Sequence, residues 1–333
     1  MTTHRSIETV MHKIFKFEPH YFERIWGGRA FETILGRNIP VKQNIGESWE
    51  IVDRDDCQSV LTHSEGESIT IRALLQEQHH CIMGPGWNVD DKFPVLIKWL
   101  DCSERLSLQV HPPKSVADLM FGEPKTENWY VAHSTTQAGL FVGLKFGTTR
   151  KKFIKALKEN KLEAVCHRIN SSTGDSILVN SGSIHAIDGG NLILEIQQNS
   201  DTTYRVYDWG RKDKTGCTRK LHIEESLRCI NFNDFEPEIT STNHSHVQII
   251  AECNHFRIRK FSFPKPMKIK LKNLQQQCMI LNPLFSDISV GKEIIPAGTL
   301  ALSPYAEDCE VQINQPGEMI LTDNFFIPQT NSN

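Results

Sequence analysis

No stretch of this 333-residue chain approaches the roughly 18–20 consecutive apolar residues of a membrane span, and Met1 to Lys16 has no apolar run long enough for a secretory leader. A CxxC pair is also missing. The nine cysteines (57, 81, 102, 166, 217, 229, 253, 278 and 309) are odd in number and scattered. That argues against a disulfide framework or a thiolate zinc site, and for a reducing, cytoplasmic setting. Nor is there an excess of positive charge: 37 Lys and Arg against 40 Asp and Glu give a net charge of −3. Electrostatics therefore offer no reason to expect a nucleic acid or an anionic membrane as partner. What remains is ordinary globular material, 39% apolar and 23% charged, long enough for two domains with a core each.

Strand signals dominate from residue 94 onward, in short runs bounded by Gly, Pro, Asn and Asp: PVLIKWL, RLSLQVH, ENWYVAH, AGLFVGL, DSILVNS, NLILEIQQ and TTYRVYDW. This cadence predicts a mainly β fold, a sandwich or barrel of the jelly-roll type. Helical patches are fewer, at 69–80, 115–122, 149–166 and 219–230. In the third, Phe153, Ile154, Leu157 and Leu162 fall near helical spacing with lysines opposite. Residues 236–246 lack periodicity and read as a linker between a first domain (1–235) and a smaller β-domain (247–333). A weak repeat relates GDSILVNSGSIHAI (174–187) to GTLALSPYAEDC (298–309), but the second copy carries no histidine in the place of His185. Only the first domain is therefore expected to hold a metal, and the simplest role for the second is to cover an open edge of the first sheet.

Four segments of the first domain carry unusual polar residues. In RLSLQVHPPK (105–114), Leu106, Leu108 and Val110 share one parity and Ser107, Gln109 and His111 the other, until Pro112 and Pro113 end the strand. KTENWY places Lys125, Glu127 and Trp129 on one face; SGSIHAI sets His185 among apolar neighbours; EIQQNSDTTYRVYDW has Glu195 and Gln197 on one parity, with Arg205 further on. Two imidazoles, a carboxylate and an amide oxygen make a donor set suited to zinc, with iron, manganese and nickel open on ligand chemistry alone. Each residue also has a plainer reading. A single histidine among 14 is usually surface or core, Glu127 can pair with Lys125, and Arg205 can pair with Asp201 or Asp208. His79 and His80 fit the end of a helix, where cationic side chains are favoured. His244 and His246 fall in the linker.

Taken together, LSLQVHP, KTENWY, SGSIHAI and EIQQNSDTTYRVYDWGR, in this order and spacing, resemble the class I mannose-6-phosphate isomerases in their short bacterial form. ERIWGG (23–28) and GESWEI (46–51) extend the resemblance to about two-thirds of the chain. It implies a cupin jelly-roll with one zinc ion per chain, held by Gln109, His111, Glu127 and His185, and a degenerate cupin-like second β-domain. Arg205 takes the place of the family's active-site arginine, and Glu195 matches a carboxylate offered as catalytic base. Lys125 joins these two in the implied catalytic set. Lys98, Lys125, Arg205 and Trp26 are the implied substrate-binding residues, with Trp49 as a further wall residue. The implied reaction interconverts mannose 6-phosphate and fructose 6-phosphate through an enediolate, so the expected partner is a phosphorylated hexose. The alternatives are another cupin sugar-phosphate isomerase or epimerase, or a non-catalytic sugar-phosphate-binding cupin. Which residue acts as base, which cations grip the phosphate, and whether the chain is a monomer or homodimer stay open at this level.

Overall fold

The computed structural model describes residues 14–62, 68–212, 215–243, 245–271 and 277–325. The first part of the chain supplies strands β1 (Phe15–Lys16), β2 (His20–Gly28), β3 (Ile45–Ile51), β4 (Val95–Cys102), β5 (Leu108–Val110), β6 (Glu127–Ser134), β7 (Gly139–Leu144), β8 (Cys166–Asn170), β9 (Ser176–Val179), β10 (His185–Ile187), β11 (Asn191–Gln198) and β12 (Tyr204–Tyr207). The last third supplies β13 (Val247–Glu252), β14 (Arg257–Phe263), β15 (Met267–Leu271), β16 (Met279–Pro283), β17 (Ile288–Val290), β18 (Glu293–Ile295), β19 (Ala301–Ser303), β20 (Cys309–Ile313) and β21 (Gly317–Asp323). The fold is mainly β, as the cadence of short runs predicts.

Two antiparallel sheets, in the orders β2-β3-β4-β11-β6-β9 and β12-β5-β10-β7-β8, make the first sandwich. Alternation along β11 explains the layering. Ile193, on the face it shares with Glu195 and Gln197, packs with Leu100, Trp129 and Val131 against Leu140, Val142 and Ile187 of the five-stranded sheet. Leu192, Leu194 and Ile196 point the other way. They join Ile97, Trp99 and the helix Ile71–Met83 in a second buried layer. Thr70 starts that helix, its hydroxyl accepting from the Ala73 amide at 3.2 Å.

The second sandwich pairs β1-β19-β16-β21-β14-β13 with β15-β20-β17-β18 around an apolar interior that includes Phe261, Leu281, Ile288, Val311 and Leu321. Its six-stranded sheet turns Ile258, Ile280, Leu302 and Ile320 toward the outer layer of the first sandwich, all within one cluster. The last third thus covers a face of the six-stranded sheet of the first sandwich, and the stretch before it pairs with that sheet's edge strand β9 at Ser176. Covering the face is the economical choice, because it carries the apolar side chains. β1 precedes every strand of the first sandwich in the chain, yet it pairs with β19, Phe15 opposite Leu302. A boundary at residue 235 therefore leaves one strand of the second sandwich on the far side of it. Residues 236–246 do not hang free either: Thr240 bridges to Ser176, and Ser241 and Thr242 bond Asp175 and the Gly174 carbonyl. His244 lies outside the described residues.

The helices are shorter than their sequence patterns. The 149–166 segment divides into Arg150–Lys158 and a single turn at Leu162–Ala164, because Asn160 takes a left-handed conformation (φ 54°) that an α-helix cannot accommodate. The 115–122 segment yields Lys114–Ala117 and one tighter turn, and 219–230 yields Ile223–Cys229. No helix among the described residues is long and apolar enough to cross a membrane.

Candidate metal and active centre

Three strands of the first sandwich bring His111, Glu127 and His185 together. His111 follows β5 where Pro112 and Pro113 end it, His185 opens β10, and Glu127 opens β6 on the facing sheet. The Nδ1 of His111 lies 2.9 Å from the Thr202 carbonyl, and that of His185 lies 2.9 Å from the Ser183 carbonyl. A carbonyl can only accept, so each Nδ1 carries the proton and each Nε2 presents a lone pair inward. Glu127 Oε2 sits 3.3 Å from His111 Nε2, and Oε1 3.6 Å from His185 Nε2.

All three side chains are essentially inaccessible to solvent, yet both Nε2 atoms and Glu127 Oε1 make no hydrogen bond, while Glu127 Oε2 meets the Lys125 ammonium at 2.8 Å. Buried polar atoms rarely go unpaired, and three of them from three residues converging on one point is what a metal site requires. One donor atom from each residue lies within 4.8 Å of the others. Protonation agrees with this. Burial, with the Lys125 ammonium nearby, pushes the His111 pKa down to about 3, and burial likewise lowers that of His185. Burial opposes ionisation of Glu127, but Lys125, 2.8 Å away, and the two imidazoles outweigh it and hold the carboxyl well below its usual range. Two neutral imidazoles and one carboxylate could hold a divalent cation. Among the described residues no second group of this kind occurs.

Beside the triad opens a cavity of about 330 Å³ lined by Arg24, Trp26, Glu47, Lys98, Leu100, Leu106, Ser107, Gln109, Lys125, Glu195, Asp201, Thr203, Arg205 and Arg219. Register places these side chains. Across β3-β4-β11-β6, Trp49, Lys98, Glu195 and Trp129 stand opposite one another in a row. Across β12-β5-β10, Arg205, Gln109 and His185 do the same. Residues paired across antiparallel strands share a face, so a slip of one residue would turn either row away from the cavity. Lys98 Nζ lies 3.8 Å from Glu195 and from Asp201, 4.0 Å from Glu47, and 4.5 Å above the Trp49 ring.

The two buried carboxyls of this cavity titrate oppositely. Desolvation raises Glu195 to about 7, and repulsion from Glu127 adds to it against the pull of Lys125 and Lys98. Burial acts on Glu47 in the same sense, yet Lys98 and Arg24 together, with hydrogen bonds from Arg24 and the Trp49 indole, bring it down to about 2.

A model of the phosphomannose isomerase type I catalytic domain matches residues 14–133. Mannose-6-phosphate isomerase ManA of Bacillus subtilis (strain 168) is 34% identical over 261 residues, 76% of this chain and 81% of that protein. This chain belongs to the type I phosphomannose isomerase family. A mannose-6-phosphate isomerase of Streptococcus mutans is 35% identical over 252 residues, 74% of this chain and 78% of that protein. The crystal structure of the mannose 6-phosphate isomerase from Bacillus subtilis matches with a TM-score of 0.80 at 25% identity, covering 94% of this chain and all of that one, at 100%.

The structure brings together the residues on which the family resemblance rests. His111, Glu127 and His185 form the cluster, and Gln109, Lys98, Lys125, Glu195, Arg205 and Trp26 all line the adjoining cavity. The plain ion-pair reading of Arg205 gives way: Asp201 faces Lys98, while Asp208 is taken by Arg211 and Arg219. Glu47, Arg24, Ser107, Thr203, Asp201 and Arg219 are lining residues that motif reading left out of the site. Glu47 and Arg24 were within reach, since they sit inside GESWEI and ERIWGG. Nothing local to Glu47, however, announces cations that are 23 and 51 positions distant.

Proposed function

We propose that this chain interconverts mannose 6-phosphate and fructose 6-phosphate, using one zinc ion per chain held by Gln109, His111, Glu127 and His185. The observation that carries this is the buried His111–Glu127–His185 cluster, in which both Nε2 atoms and Glu127 Oε1 lack a hydrogen-bond partner, beside a cavity of mixed charge in a member of this family. Family membership and relatives named as mannose-6-phosphate isomerases support the substrate.

Zinc, when bound, supplies a redox-inert Lewis acid that stabilises oxyanion charge developing on the sugar. The side chains do the rest. Glu195, with Oε1 accepting from the Trp129 indole at 3.1 Å, removes the proton from C2 of the open-chain aldose. The electron pair of that C–H bond forms the C1–C2 double bond, and the carbonyl oxygen on C1 takes the negative charge. Glu195 then returns the proton to C1 while the C2 hydroxyl gives its own proton to the oxygen on C1, which leaves the ketose. A base whose pKa burial has brought near neutrality suits this exchange. Lys125 stays charged, since Glu127 and Glu195 outweigh its desolvation, and it faces the developing enediolate with Lys98. Arg205 holds the substrate, and Trp26 closes the wall.

Buried thiols such as Cys102, Cys166 and Cys278 fit a reducing cytoplasm. The partner is the phosphorylated hexose, with no role for nucleic acid or membrane. A coupled assay following fructose 6-phosphate formation from mannose 6-phosphate tests the reading. Turnover by wild type and its loss in Glu195→Gln, by about 100-fold or more in kcat, is the expected result. A Gln variant near wild-type activity would remove Glu195 from the base role, and absence of turnover in zinc-loaded wild type would remove the substrate.

A further inference from the structure

The charges lining the cavity are not evenly matched. Its carboxylates, Glu47, Glu195 and Asp201, face Lys98, and Glu47 also takes Arg24; Lys125 is taken by Glu127. Near Arg205 the balance reverses. Arg205 feels Arg219 and Arg211 as like charges and Asp208 as the opposing one, so among the described residues three guanidiniums share the Asp208 carboxylate. Its Nη1 donates to the Lys220 carbonyl at 2.9 Å, while its Nε is buried without a partner. Surplus positive charge in a half-buried cleft is costly unless an anion neutralises it. A planar guanidinium fork suits the oxygens of a phosphate better than any other side chain.

We propose that Arg219, clamped by Asp208 beside Arg205, reads the phosphate of the substrate and so makes the cavity specific for a phosphorylated sugar. This rests on the isomerase reading above and names a residue for its phosphate. Asp208 is a positioning residue: its two oxygens accept from Arg219 Nε at 2.8 Å and Nη2 at 2.5 Å, and Arg211 grips the same carboxylate. The main chain fixes the segment as well. The Arg205 amide donates to His222 Nδ1 at 3.2 Å and the His222 amide to the Arg205 carbonyl at 2.7 Å, which lays residues 219–222 along β12. The spacing also fits. Arg205 stands two strands from His185, about 10 Å at ordinary sheet spacing. A hexose with its reacting carbons at the His111–Glu127–His185 cluster carries its terminal phosphate toward Arg205 and Arg219.

Steady-state kinetics with mannose 6-phosphate on wild type, Arg219→Gln, Arg219→Lys and Lys220→Gln test this. Arg219→Gln is expected to raise KM about 10- to 100-fold with kcat within about threefold, the pattern of lost uniform binding. Inhibition by inorganic phosphate should weaken about as much, Arg219→Lys should recover part of the loss, and exposed Lys220→Gln, which removes the same charge next door, should leave KM within about twofold. A folded Arg219→Gln with unchanged KM and unchanged phosphate inhibition overturns the proposal, as does a fall in kcat alone. If Arg219→Gln melts early, Arg219→Lys decides by the same KM criterion. If wild type does not isomerise mannose 6-phosphate, the isomerase reading fails separately, and calorimetry with fructose 6-phosphate against fructose decides. Phosphate-dependent binding lost in Arg219→Gln supports the assignment; equal binding of the two sugars overturns it.

Discussion

Glu195 and Glu47 line one cavity, share one unperturbed pKa of 4.5, and end near 7 and near 2 respectively. The difference lies in their neighbours: Glu47 has Arg24 in contact and Lys98 at hand, whereas Glu195 has an indole N–H, a lysine 3.8 Å away and the Glu127 charge behind it. As a base Glu195 acts in its ionised form, so kcat/KM should fall as pH drops through its pKa. A cation bound at Glu127 cancels the repulsion that helps raise Glu195, so the acid limb in metal-loaded enzyme should lie below 7. A pH–rate profile of wild type reads this directly; a flat profile from pH 5 to 8 would count against Glu195. Glu47 acts on stability. Its folded pKa is depressed, so it contributes at pH above 4.5, by about 3 kcal/mol for a shift of this size, and the contribution is lost as pH falls toward 2. Urea midpoints of wild type and Glu47→Gln should differ most near pH 6, draw together as pH falls below 4.5, and converge only near pH 2. At this scale the residues of the candidate metal cluster were legible in the sequence, because LSLQVHP, KTENWY and SGSIHAI carry His111, Glu127 and His185. The sequence hid Glu47, Asp201 and Arg219, whose meaning depends on charges brought near only by folding.

Among the elements, the hairpin of β2 and β3 holds Arg24, Trp26 and Glu47 in the cavity wall, and it depends on a close backbone approach. A Cβ added at Gly27 would lie 2.4 Å from the Gly46 nitrogen and 2.6 Å from the Ile45 carbonyl carbon. Both are main-chain atoms in the partner strand and cannot step aside. Gly27→Ala should therefore cost about 1–3 kcal/mol and spread the hairpin. The expected readout is a melting point several degrees lower together with a raised KM, because Trp26 and Arg24 move with the strand. An unchanged melting point would mean that the two strands have room. The strands after residue 94 were legible from apolar alternation, but β2 and β3 were seen only as motifs. HYFERIWGG is part-exposed along most of its length and carries Glu23 and Arg24 at its middle, and IGESWEI buries a serine and a glutamate, so neither gives a clean apolar period. Asn160 and Phe121 cut two helices short through left-handed backbone, which composition alone does not reveal.

Taken whole, the molecule is two sandwiches joined through one apolar layer. Gly298, in the second sandwich, accepts from the Trp99 indole at 3.1 Å and from the buried Arg37, which is itself paired with Glu50 at 2.6 Å. Deleting residues 247–333 would expose Ile97, Trp99, Leu194 and Ile196 together, so the truncated chain should aggregate or lose its tertiary near-ultraviolet signal. The full chain should unfold in one transition seen alike by tryptophan fluorescence and far-ultraviolet dichroism; two separated transitions would show that the shared layer is weak. The sequence pointed to a second β-domain but not to how it docks, since a face and an edge are covered by equally apolar strands.

Metal removal and return, measured on activity and on metal content together, tests the central claim most directly. Dialysis against a chelator should abolish isomerisation of mannose 6-phosphate, and one zinc per chain should restore it. Glu127→Gln and His185→Ala should each retain well under one zinc per chain. Full activity in metal-free protein, or stoichiometric zinc in both variants, would contradict the account.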